Sequence, residues 1–210
     1  VGTALSICFV LTTGILTMTF DEVVSISDFS AGAATVQSKS VKDGTTKESA
    51  VLAGAVTSTG DSKVVAVTLT LASANGLRAD LGLAISADTT FLSFTNAFIK
   101  DVDNNNIAAK PTSGALQVAT GGFSADSTAP AMSGFKMDVS AGKITLSFEQ
   151  PVKGSTYTDG ELTLVDAQSG SVSVVVSGAT ASATVSTEVE LTLTTANLNN
   201  IKKAALCTKQ

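Results

Sequence analysis

The sequence predicts an all-β chain made of two tandem antiparallel β-sandwiches, and three observations lead there. Short runs of alternating apolar and polar residues follow one another with turn residues between them, and no long window carries a helical period. Two phrases recur in the same order. "TGILTMTFDEVV" (Thr13 to Val24) returns as "AGKITLSFEQPV" (Ala141 to Val152), and "VTLTLASAN" (Val67 to Asn75) returns as "VELTLTTAN" (Val189 to Asn197). The offsets, about 128 and about 122 residues, imply one duplicated unit in which a loop has changed length by several residues. Composition agrees: of 210 residues, 44% are hydrophobic, 15% charged and 5% aromatic, so the cores must be built from Val, Leu, Ile, Ala and Phe. Ser and Thr make up about a quarter of the chain, which suits the solvated faces of strands.

The elements can be taken in order. "VGTALSICFVLTTG" at the N-terminus has the apolar content of a targeting segment but neither a starting Met nor a basic flank. At the offset of about 128 it falls on "AMSGFKMDVSAG". Ile7, Phe9 and Leu11 then stand opposite Phe135, Met137 and Val139, which makes it a first strand of an excerpt from something longer. "DSTAP" (Asp126 to Pro130) reads as the boundary, because Pro after small polar residues favours an extended linker. It separates an expected domain of residues 1–125 from one of residues 126–210. The second copy then reads as a strand near Met132 to Val139, a turn at Ser140 to Gly142, and a strand from Lys143 to Phe148. Pro151 in "EQP" should halt that strand, since it has no N–H for the ladder. Strands follow near Glu161 to Val165, Ser171 to Ser177 and Val189 to Leu193. A short helix comes after them, with Thr194 or Thr195 as its cap. The first copy repeats the series and adds "TTFLSFTNAFIKDVDNNNIAA" (Thr89 to Ala109), then a closing strand at Gly114 to Phe123. The second copy reaches Gln210 before any counterpart of Thr89 to Phe123, so about 35 residues of its sandwich are expected to be missing. That shortfall implies an open apolar face and an unpaired edge.

The stretch "DSTAPAMSGFKMDVSAGKITLSFEQPVKGSTYTDGELTL" resembles the Asp-x-Thr-x-Pro, strand, Gly turn, Ser-Phe-Glu-x-Pro-Val pattern of bacterial-type Ig-like repeats. Such repeats occur in S-layer and swimming-associated surface proteins and in mastigoneme-like repeat proteins. "AFIKDVDNNNIAA" is similar to the family's Asp-x-x-Gly-Asn hairpin, with Asn104 or Asn105 where Gly is usual; Asn also tolerates the left-handed conformation. The resemblance implies Ig-like sandwiches in an extracellular tandem array and carries over no catalytic residue. It points to a structural segment of a filament or appendage whose partners are copies of itself or adjacent repeats. The alternative is an adhesin stalk or a ligand-binding module.

Several residue groups invite chemistry, each beside a plainer reading. Asp101, Asp103 and Asn105 have the Asp-x-Asp-x-Asn spacing that opens a calcium loop, and Asp126 is a conceivable further donor. The sixth position is Asn106 where Gly is needed and the twelfth is Thr112 where Glu is needed, so a hairpin turn competes with calcium. Asp21 and Glu22, echoed by Glu149 and Gln150, suggest paired carboxylates, yet adjacent strand residues point to opposite faces and cannot bracket one bond, and the end of a strand at a bulge is the plainer reading. Thr17/Thr19, Thr68/Thr70 and Thr192/Thr194 could form an ice-binding array, or simply populate solvent-facing strands. Cys8 should face outward and pair with a neighbour outside this excerpt, whereas Cys207, matched with Ala84, could equally be a buried thiol. The Ser/Thr-rich faces suit O-linked glycans.

The chain contains no His, which removes the commonest general base and metal ligand, and no cofactor motif is present. The net charge of −5 is diffuse and offers no basic face for nucleic acid. No run approaches the ~20 apolar residues of a membrane span. An enzyme is not expected, and the expected location is extracellular or at the cell surface.

Overall fold

The computed structural model describes residues 2–42, 44, 49–167, 170, 172–204 and 206. Among the described residues the chain is all-β apart from two short helices, its strands lie mostly in antiparallel sheets, and it divides into two compact units, Val1–Thr128 and Ala129–Gln210.

In the first unit the strands are β1 (Ala4–Val10), β2 (Ile15–Ser25), β3 (Ala34–Gln37), β4 (Ser49–Val51), β5 (Gly54–Val56) and β6 (Ser62–Leu69). Helix α1 (Leu71–Ala79) follows, then β7 (Phe91–Phe94), β8 (Lys100–Asp101), β9 (Leu116–Gln117) and β10 (Phe123–Ser124). One sheet runs β10-β1-β2-β6-β5, with β8 added to β2, and the other runs β4-β3-β7-β9. Inward residues of both sheets meet in one core. Ile7, Phe9, Leu16 and Met18 from the first sheet pack with Val36, Leu92 and Phe94 from the second. Phe94 stacks on Phe98 at 5.0 Å, and Phe98 in turn meets Phe29 edge-on at 5.2 Å.

In the second unit the strands are β11 (Met132–Asp138), β12 (Lys143–Lys153), β13 (Leu162–Val165), β14 (Ser173–Val176), β15 (Thr180–Ala181) and β16 (Val185–Thr192), followed by α2 (Thr195–Lys203). They form a β11-β12-β16-β15 sheet and a separate β13-β14 pair, whose inward faces share a second core around Ile144, Leu164, Val176 and Leu191.

The duplication is visible in the hydrogen-bond register. In the first copy β1 and β2 pair Ala4 with Phe20 and then slip to pair Ser6 with Thr19; in the second, β11 and β12 pair Met132 with Phe148 and slip to pair Gly134 with Ser147. The same bulge stands at the same place in both copies, and bulges of this kind are specified features of a strand pair. Phe20 is buried in the first core, and Phe148 packs against the second. The β1–β2 and β11–β12 turns each place a glycine, Gly14 and Gly142, at φ +67°, a left-handed conformation that other residues avoid.

Three sequence expectations are corrected. The second phrase aligns two residues away from its best sequence match. Ile15 pairs with Thr68 in one copy and Lys143 with Thr192 in the other, so Val65 corresponds to Val189 and Val67 to Leu191. The helix caps agree, because Thr70 accepts the Ser73 N–H and Thr194 accepts the Asn197 N–H. Second, β12 does not stop before Pro151 but runs through it to Lys153. The register between β12 and β16 jumps from Ser147 to Val152, so that ladder asks nothing of the proline nitrogen. Third, the closing strand at Gly114 to Phe123 is broken into β9 and β10 by a turn in which Gly121 has φ +73°. A Cβ on the next residue, Gly122, would stand 3.0 Å from the carbonyls of Ala119 and Ile7. Beyond that turn β10 pairs parallel to β1, Phe9 with Phe123, which breaks the otherwise antiparallel scheme.

The end of the first unit is clamped by Arg78, the only arginine in the chain. Its Nη2 donates to the carbonyls of Leu11 (2.7 Å) and Thr12 (3.0 Å), and its Nη1 donates to Asn75 Oδ1 (3.0 Å). Its Nε lies 2.9 Å from Asp126 Oδ2, an ion pair close in distance but not aligned as a hydrogen bond. Thr12 completes the clamp by donating to the Ala125 carbonyl and accepting the Ser127 N–H. Asp126, read from sequence as part of the linker, is therefore held within the first unit.

Candidate interaction groove

The two copies differ most where the second sandwich meets solvent. Position by position, β13 corresponds to β3 and β11 to β1, yet burial diverges. Ala4 and Ile7 are 4% and 2% exposed, whereas their counterparts Met132 and Phe135 are 55% and 56% exposed. Gln37, 1% exposed, donates through Nε2 to the carbonyls of Lys39, Ser40 and Thr112; its counterpart Val165 is 53% exposed. The cause lies in strand pairing. In the first copy β3 is flanked by β4 on one side and by β7 on the other, with Ala34 opposite Phe94 and Val36 opposite Leu92. In the second, β13 pairs with β14, and among the described residues its other edge has no strand.

The result is an apolar groove of about 360 Å³ between β11, β12 and β13, floored by Ile144 and Leu146 and rimmed by Met132, Phe135, Leu162 and Val165. It joins a strand edge that no described strand pairs to a patch of large apolar side chains. That combination is what strand addition requires. A second cavity of about 130 Å³ borders Phe148, Val152 and Tyr157. Tyr157 follows the Gly154–Thr156 turn as Phe29 follows the Ile26–Asp28 turn, so it occupies the position that in the first copy meets Phe98. The Tyr157 hydroxyl is buried without a hydrogen-bond partner. Burial, and secondarily the charge of Asp159, push its ionisation above the usual tyrosine range. Among the described residues the larger groove is lined by apolar side chains with Thr163 as the one hydroxyl, so it is suited to hold apolar chain.

The residues singled out from sequence fall elsewhere. Both carboxylate oxygens of Asp101 are engaged by Asn105, through its backbone N–H (2.7 Å) and its side-chain amide (2.8 Å). The Asn105 side-chain amide is the main cause, and its backbone N–H the next, of a pKa held below the ordinary 3.8. Asn104 takes the left-handed conformation at φ +66°, which Asn tolerates better than most residues. Asp103 is exposed on the turn. The three residues thus form a hydrogen-bonded hairpin turn. Among the described residues no group of three or more His, Cys, Asp or Glu could hold a metal ion. Asp126 is engaged with Arg78, away from this turn.

Asp21 Oδ1 accepts the Thr3 N–H at 2.6 Å, and Lys63 Nζ donates to the Asp21 carbonyl at 2.7 Å; the acidic pair sits within a continuing strand. Two of the Thr-x-Thr pairs are broken up by capping, since Thr70 and Thr194 turn their hydroxyls to helix N-termini. Cys8 is exposed on the outer face, and Cys207 lies outside the described residues. Among the described residues no helix is long and apolar enough to cross a membrane. Sequence reasoning missed the Arg78 clamp, although a lone arginine was a signal to look there. It also left Tyr157 unremarked; the offset that pairs it with Phe29 was the available clue.

Comparison with family models, with curated proteins and with solved structures gave no match.

Proposed function

We propose that this chain is a repeat segment of an extracellular filament or cell-surface appendage, that it is not an enzyme, and that it acts by self-association of tandem Ig-like domains. The observation that carries the reading is the duplication itself: one sandwich plan occurs twice in succession, down to the bulge that aligns Ala4 with Phe20 and Met132 with Phe148. Consecutive copies of one unit build extended, quasi-one-dimensional bodies, and like surfaces meeting head to tail build filaments when the rotation does not close. Antiparallel ladders also suit a mechanical load, because many hydrogen bonds must break together. The exposed thiol of Cys8 is placed to bond a neighbouring repeat or chain, and the Ser/Thr-rich outer faces suit O-linked glycans.

Electron microscopy of the native assembly tests this. Ordered fibrils containing the chain in stoichiometric amount are expected. Isolated beaded rods that never associate would refute self-association and favour the stalk of an adhesin. Complete alkylation of both thiols in unreduced native material would remove the covalent link from the scheme.

A further inference from the structure

We propose that the outer face of the β10-β1-β2-β6-β5 sheet docks on the same face of a second copy of this chain. The inference rests on the self-association reading and names the surface that performs it.

Strand register aligns this face residue by residue between the two copies. On β1, Cys8 and Val10 stand where β11 has Lys136 and Asp138. On β2, Ile15 stands where β12 has Lys143. On β6, Val64 and Ala66 stand where β16 has Glu188 and Glu190. Every position that carries charge on this face of the second copy is therefore uncharged in the first. The outward residues between them, Ser6, Thr17, Thr19 and Thr68, are hydroxylic. Along β1, β2 and β6 the first charged residues, Asp21 and Lys63, come beyond the last row of this field, and Lys63 Nζ donates to the Asp21 carbonyl.

The field is also open to water. Cys8 and Ala55 are exposed, and Val10 and Val64 are 37% and 48% exposed. An outer sheet face that stays in water can carry charge freely, as the second copy shows, where Lys143 Nζ donates to Glu190 Oε1 at 2.7 Å. Covering that second face would desolvate ionic groups, whereas the first can be covered with no charge to desolvate.

Charge also selects the partner. An uncharged face is matched by another uncharged face, and of the two described units only the first presents one on this sheet. The second unit's face would bury Lys and Glu side chains against Val64 and Ala66; the first unit of another copy buries none. Contact of one surface with itself is isologous and closes around a two-fold axis. Size sets the strength. Four strands about 4.8 Å apart and three rows about 6.8 Å apart give a field of roughly 400 Å² a side. A standard stable complex buries about 800 Å² of each partner, so one such contact is weak and gains from repetition along a tandem array.

The test uses the full chain carrying Cys207→Ser, which leaves Cys8 as its one thiol. Under reducing conditions, sedimentation velocity over a rising concentration series should show a reversible monomer–dimer equilibrium. Alkylation of Cys8 should slow as the dimer fills. Ala66→Glu and Val64→Glu give the first copy the residues of the second, so a strand of this plan accommodates them. Each should weaken association about tenfold or more, make alkylation independent of concentration, and leave the melting temperature at the wild-type value. Ala66→Ser should associate like the parent chain. Should Ala66→Glu lower the melting temperature, Val64→Glu, at the more open position, decides. Association that survives both glutamate variants, with Cys8 freely alkylated, would overturn this docking face and leave self-association standing. A chain that stays monomeric at its highest soluble concentration would overturn both.

Discussion

Replacing Arg78 with methionine should destabilise the first unit more than most other surface-adjacent changes in the chain. The guanidinium side chain is 8% exposed and its partner Asp126 17% exposed, so water cannot readily take over its contacts. Three charge-assisted hydrogen bonds are lost, to the Leu11 and Thr12 carbonyls and to Asn75, together with the ion pair to Asp126. Each such bond contributes about 1.5–3 kcal/mol, but the contributions overlap because all belong to one group. Breaking a buried pair by removing one partner costs about 3–5 kcal/mol, which sets the expectation for Arg78→Met. Asp126→Asn should cost less, about 1–2 kcal/mol, because the guanidinium keeps its three hydrogen bonds and the Asn is neutral. The double variant should fall short of the sum, since the two residues share one interaction. Urea-dependent hydrogen exchange, read by mass spectrometry on fragments from residues 2–128, measures the effect within the unit concerned. A change below about 0.5 kcal/mol for Arg78→Met would refute the claim that this cluster seals the end of the first sandwich.

Other expectations follow from paired positions and from titrating groups. Ile7→Ala should cost about 2–5 kcal/mol, whereas Phe135→Ala at the equivalent position of the second copy should change stability by less than about 0.5 kcal/mol; equal costs, measured by urea unfolding, would contradict the difference in burial. Tyr157→Phe should be neutral or stabilising by about 1 kcal/mol, because it removes a buried hydroxyl that has no partner. The raised pKa of Tyr157 means the unfolded chain ionises first, so its contribution to stability is intact below the ordinary value of 10.0 and is lost as pH rises through the folded value. Tyr157→Phe should therefore flatten the alkaline limb of a melting-temperature profile. Asp101 has the opposite sign: its pKa is lowered, so its contribution is present above 3.8 and disappears as pH falls through the folded value. Asn105→Ala should reduce that acid sensitivity in a pH series of thermal melts. Because both Asp101 oxygens are already bonded, added calcium should leave the melting temperature unchanged, and a calcium-dependent rise would restore the metal reading.

Most of the strand order was legible because alternation has a period of two and turns have their own chemistry. The phrase around Phe20 and its echo around Phe148 fixed β2 and β12, and the Thr caps marked where β6 and β16 give way to helices. The same period hid the correct alignment of the second phrase. A slip of two residues returns every side chain to the same face, so matching Val67 with Val189 looked as sound as the register that pairs Val65 with Val189. Sequence similarity could not separate the two, whereas backbone pairing could. Pro151 was misjudged for a related reason: proline ends a strand only where the ladder needs its N–H, and that need is decided by the neighbouring strand.

By itself, then, the sequence determined that the chain is all-β, that one unit occurs twice, and which face of each long strand turns inward. Those properties depend on local alternation and on copied phrases. Only the tertiary structure decided that Ile7 is covered while Phe135 is bare and that Arg78 closes one unit. Each of these depends on which distant segment arrives beside the residue, and a strand's own alternation carries no record of its neighbours.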